Sequence, residues 1–88
     1  MNKCLKITLT VDRMEGFLHT IVQSKARKCD LEGVVQPVND SQIRIIVCGE
    51  KENVDTFVDL LQREAIKDVE IEPFVKDKDY RGVFRVIE

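Results

Sequence analysis

The hydrophobic period of this 88-residue chain switches repeatedly between two and about 3.6. Period two marks a strand with one buried face, and period 3.6 marks a helix with an apolar stripe. The succession of periods therefore limits which elements can share a core. Leu5, Ile7, Leu9 and Val11 alternate with Lys6, Thr8 and Thr10, which predicts a first strand. Asp12-Arg13-Met14-Glu15-Gly16 follows as a loop, with Asp12 a candidate cap for what comes next. Phe17, Leu18, Ile21, Val22 and Ala26 then define an amphipathic helix from Phe17 to Lys28. Lys25, Arg27 and Lys28 crowd its last turn, where cations favour the negative end of the helix dipole.

Two β-rich runs come next, Glu32 to Val38 and Gln42 to Cys48. Asn39-Asp40-Ser41 between them is a turn signature, so the runs pair as a hairpin. Pro37 has no amide hydrogen and belongs on an edge or near the end of its strand. Ile43-Arg44-Ile45-Ile46-Val47 is more continuously apolar and suits a central strand. Val54, Phe57, Val58, Leu61 and Ala65 give a second helical stripe. Val69 and Ile71, alternating with Glu70 and Glu72, give a strand stopped by Pro73. Lys76-Asp77-Lys78-Asp79 reads as a solvated loop, and Val83, Phe84, Val86 and Ile87 as a last short strand.

The order β-α-β-β-α-β implies an α+β, ferredoxin-like two-layer sandwich with both helices on one face of an antiparallel sheet. Right-handed crossovers give the main strands the order 4-1-3-2. The extra C-terminal strand is expected at an edge, which pattern alone does not identify. Residues 1–88 show no repeat or linker and read as a single domain.

Composition narrows the function. Fourteen Lys and Arg against sixteen Asp and Glu leave a net charge of -2, which weighs against wholesale phosphate neutralisation. The helix-free sheet face is expected to carry Lys6, Thr8, Thr10, Arg44, Ile46 and Cys48, with no aromatic platform for bases. No nucleic-acid partner is expected, and no membrane, since no apolar run approaches ~18 residues. Cys4, Cys29 and Cys48 form no CxxC pair, and no secretory leader opens the chain. Three free thiols in a reducing cytoplasm are the simplest expectation. With His19 the only histidine, no metal or cofactor is expected.

The one candidate binding feature is the strand-to-helix loop Arg13, Met14, Glu15, Gly16 and Phe17. Amides at a helix start favour phosphate or another small anion, and Arg13 adds a forked donor. Asp12 and Glu15 oppose this, since like charges ~5 Å apart repel by about 1 kcal/mol even in water.

At these residues the chain resembles the acylphosphatases, small enzymes of this fold and length. Glu15-Gly16-Phe17 resembles the end of their phosphate loop, and Leu31-Glu32-Gly33-Val34-Val35 the opening of their second strand. Gln42 through Leu61, Val69-Glu70-Ile71 and Gly82-Val83-Phe84-Arg85-Val86 resemble the rest of the fold, including the extra strand. The resemblance implies hydrolysis of acyl phosphates without a metal or a covalent intermediate. It also implies an arginine directly after Gly-Phe to bind phosphate, and an asparagine at the end of the second strand to position water. This chain has Leu18 and Pro37 at those positions. Loss of hydrolysis is therefore expected, with residual acylphosphatase activity through the substitutes Arg13, His19 and Asn39 as an alternative. Val11 to Ile21 also resembles the opening of ACT domains, which would imply an amino-acid-binding regulatory module instead. A protein-binding module of unknown partner is the plainest alternative.

Overall fold

The computed structural model describes residues 1–12, 14, 16–64, 66–76 and 79–87. Its strands are β1 (Asn2–Val11), β2 (Glu32–Pro37), β3 (Gln42–Glu50), β4 (Ile66–Pro73) and β5 (Phe84–Val86). A π-helical segment, Phe17–Gln23, runs directly into the α-helix α1 (Ser24–Lys28), and α2 spans Lys51–Gln62. The first helix thus begins with wider winding than the ordinary α-helix expected from its stripe. The second ends at Gln62, and Ala65 lies outside the described residues.

The sheet order is β4-β1-β3-β2-β5, which contains the expected 4-1-3-2 arrangement. β1 pairs antiparallel with both β3 and β4, and β2 pairs antiparallel with β3. The expectation of a wholly antiparallel sheet is corrected by β5, which lies parallel to β2. The physical reason is the path of the chain. It leaves β4 at one edge, crosses the helix-free face and joins the far edge running in the same direction as β2. Gly33 N–H donates to the Val83 carbonyl (2.9 Å) and Ile87 N–H to the Val35 carbonyl (2.8 Å). Pro37 sits beyond the three β2 residues that β5 pairs with, so its missing amide hydrogen breaks no ladder on that side.

Ile7, Leu9, Ile43, Ile45 and Val47 are fully buried on the helix side of the sheet. There they meet Val22, Ala26, Val54, Phe57 and Leu61 from the helices. Phe84 carries β5 into the same core, its ring 6.5 Å from that of Phe57. The opposite face is covered only in part. Tyr80, from the crossing segment, packs with Ile46 and Cys48, and Cys4, Val34 and Phe74 flank them.

Cys4 and Cys48 are direct partners in the β1–β3 register, with Cα atoms 4.2 Å apart, and are joined as a disulfide. This corrects the expectation of three free thiols. The pair is 44 positions apart in sequence and becomes adjacent only through strand pairing. Cys29 remains free and buried, and that burial pushes its thiol pKa up despite Lys28 and Lys25 nearby.

Gly33 has φ of +142°, and a Cβ there would strike the backbone carbonyl of Ile46 on the neighbouring strand. Gly33→Ala is expected to destabilise the fold by about 3 kcal/mol, combining a disfavoured φ with overpacking, as read by urea unfolding. Asp55 on α2 accepts from Lys3 and Lys51, each at 3.0 Å, and these bonds hold its carboxyl below the usual range. A lowered folded pKa gives stability that is complete above the unfolded value of 3.8 and is lost as pH falls through the folded one. The melting-temperature gap between the native chain and Asp55→Asn should therefore be constant near neutrality and close in acid. An unchanged gap down to pH 2 would contradict this ion pair.

Candidate functional site

The strand-to-helix junction is built by the end of β1 and a left-handed residue. Val11 N–H donates to the Ser41 carbonyl (2.8 Å), which ties the end of β1 to the start of β3. Gly16 then adopts φ +75° and forms the N-cap, a conformation that glycine reaches without a Cβ penalty. Asp12 does not cap the helix, contrary to the expectation. Its carboxylate instead lies 3.0 Å from Lys67 of β4, in an exposed pair. Arg13 and Glu15 lie outside the described residues.

Phe17 N–H donates to the Met14 carbonyl (2.9 Å), and Thr20 N–H to the Gly16 carbonyl (2.8 Å). Two amides near the junction are thus already used within the chain. Met14 is half-buried against the core, and Phe17 and Leu18 are each buried to 8% exposure. Leu18 therefore points into the apolar interior. The position that in the resemblance carries the phosphate-binding arginine is here a core position.

Of the three substitutes, the structure describes His19 and Asn39, which lie on different elements. His19 is exposed on the π-helix. Asn39 is exposed in the β2–β3 turn, and its side chain is fully engaged there. Its Oδ1 accepts from Ser41 N–H (2.9 Å) and Gln42 N–H (2.9 Å), while its Nδ2 donates to Gln42 Oε1 (2.8 Å). This is the turn role that its residue type favours. Pro37 closes β2 opposite Ile43 and offers neither an amide hydrogen nor a polar side chain. Among the described residues, no group of three His, Cys, Asp or Glu side chains is placed to hold a metal ion. Nor is any helix among them long and apolar enough to cross a membrane.

In the charged loop, the described residues Lys76 and Asp79 are exposed, as expected, and each also makes a contact. Lys76 lies 2.7 Å from Glu32 of β2, and that bond raises the lysine pKa. Asp79 Oδ1 accepts from Arg81 N–H (2.8 Å) and shapes the turn into β5. Asp77 and Lys78 lie outside the described residues. Sequence reasoning missed this anchoring because Lys76 and Glu32 meet only once the chain has crossed the sheet.

These features define a two-layer α+β sandwich of ferredoxin-like topology with a fifth, parallel edge strand. The sequence model of the acylphosphatase family matches residues 15–85, and the chain belongs to that family. Its structure is similar to that of an acylphosphatase from Bacillus subtilis, with a TM-score of 0.85, 17% identity and full coverage of both chains. An acylphosphatase from Coxiella burnetii gives a TM-score of 0.83 at 24% identity, covering 98% of this chain and 93% of that one. Full-length HypF, solved in a phosphate- and nucleotide-bound form, gives 0.82 at 19% identity, covering all of this chain and 12% of that one. No curated protein sequence matches significantly.

Removing the Asn39 side chain should weaken only the turn. Asn39→Ala is expected to lower stability by about 1 kcal/mol, the typical worth of such bonds, in chemical denaturation. A change in any ligand affinity without loss of stability would contradict the turn role.

Proposed function

We propose that this chain is an acylphosphatase-family domain that does not hydrolyse acyl phosphates. The observation that carries this reading is Leu18, buried to 8% exposure in the core directly after Gly16-Phe17. Phosphoryl transfer needs fixed positive charge and oriented donors on the transferring group. A buried isobutyl group supplies neither. Pro37 supplies no carboxamide to orient water, and Asn39 is committed to its own turn. Loss of one such anion-stabilising donor typically costs about 10²–10³-fold in rate. Loss of both groups leaves little catalysis. Phosphate or a similar small anion remains the ligand class that the loop Arg13 to Phe17 would favour. Its hold would be weak, since the Phe17 amide already serves Met14.

The amino-acid-binding alternative rests on Val11 to Ile21 alone, whereas the family match spans residues 15–85. The test is benzoyl phosphate hydrolysis by the purified chain, with the acylphosphatase of Bacillus subtilis as the positive control. No turnover above buffer is expected. Robust turnover that disappears in Arg13→Ala or His19→Ala would show that substitutes restore the chemistry. Leu18→Arg is expected to destabilise the fold by about 3 kcal/mol or more, because it forces a charge into an apolar site. Simple reversion of that position should therefore fail to restore a working enzyme.

A further inference from the structure

The face of the sheet opposite the helices holds a feature that the family reading does not use. Strand alternation sets Arg44 between the core residues Ile43 and Ile45, so its side chain emerges on the helix-free face. Arg85 lies between Phe84 and Val86, both packed on the helix-side core, and emerges on the same face. In register, Arg44 is opposite Gln36, and Arg85 is opposite Val34, on either side of β2. Two strand spacings and two residues of rise place their Cα atoms about 12 Å apart. Two arginine arms span that gap and can close on one group from both sides.

The crossing segment roofs this region with Tyr80, which is buried against Ile46. Two cavities open beneath and beside it. One, of about 190 Å³, is lined by Gln36, Arg44, Ile46 and Phe74. The other, of about 320 Å³, is lined by Asp79, Arg81 and Arg85. Val34, Tyr80 and Ile87 line both, so the two spaces adjoin around a shared apolar floor. Three of the six arginines of an acidic chain thus border these two adjoining cavities. Among the described residues, none of the three has an ion-pair partner. Among the described residues, Asp79 is the one carboxylate in the lining, and its Oδ1 is bonded to the Arg81 backbone amide.

We infer that this cleft is a binding site for a small organic phosphomonoester. Arg44 and Arg85 hold the phosphate from opposite sides, and Val34, Ile87 and Tyr80 hold its apolar body. Paired guanidinium groups match a dianion better than a monocarboxylate, because each forms a forked, charge-assisted contact. The adjoining spaces, of about 190 and 320 Å³, can seat a single ring or a short branched chain. The site lies on the face opposite buried Leu18, so it is independent of whether the first loop hydrolyses anything.

The test is an amide NMR titration of the full chain with phenyl phosphate, with inorganic phosphate in parallel. Saturable shifts are expected at residues 34–36, 44–46 and 80–87, with inorganic phosphate binding more weakly. Arg44→Gln and Arg85→Gln should each weaken phenyl phosphate by at least about tenfold, while resonances of the helix-side core stay in place. Absence of saturable shifts would overturn the proposal, as would affinity unchanged in both variants. Shifts confined to residues 14–19 would also overturn it and would assign the anion to the first loop instead.

Discussion

The structure depends on β1 and β3 having to bury both of their faces unequally. Their helix-side residues, Ile7, Leu9, Ile43, Ile45 and Val47, are fully buried, and this large apolar surface is the main drive for folding. On the other face Ile46 and Cys48 are also nearly covered, although no helix packs there. The cover comes from the chain itself, through Tyr80 and Phe74 in the segment between β4 and β5. Because β4 and β5 occupy opposite edges, that segment must traverse the whole sheet. Covering the second face and adding a fifth strand are therefore one event.

The same constraint explains how chemistry is distributed. The helix side is filled to the point that the residue after Gly16-Phe17 is part of the core. The junction keeps its left-handed glycine and its helix start but has no described side chain able to clamp an anion. The helix-free side is only partly covered, and there the arginines of β3 and β5 and of the turn before β5 border open cavities. Polar function has room on the face that the core does not claim.

Much of the scaffold was legible from residue patterns. The alternation in β1, the continuous run in β3 and the stripe Val54, Phe57, Val58 and Leu61 each match their elements. The role of Asn39 as a turn former was also readable, since it follows from local backbone preference, whereas the cap expected at Asp12 falls on Gly16. Less was legible at the site. Burial of Leu18 depends on the direction in which the π-helical segment faces, and a stripe of apolar residues does not specify its winding. The Asp12–Lys67 and Lys76–Glu32 pairs join distant positions, which local pattern does not connect.

By itself the sequence determined the element order, the layer architecture and the hairpin. These follow from periodicity and residue type, which act over a few neighbouring residues. Tertiary structure alone decided that β5 runs parallel to β2, that Cys4 and Cys48 meet, and that Arg44 and Arg85 border adjoining cavities. Each of those depends on strand register and on the path of a connection across the sheet. Such relations are set by the packing of the whole chain and are written in no single segment of it.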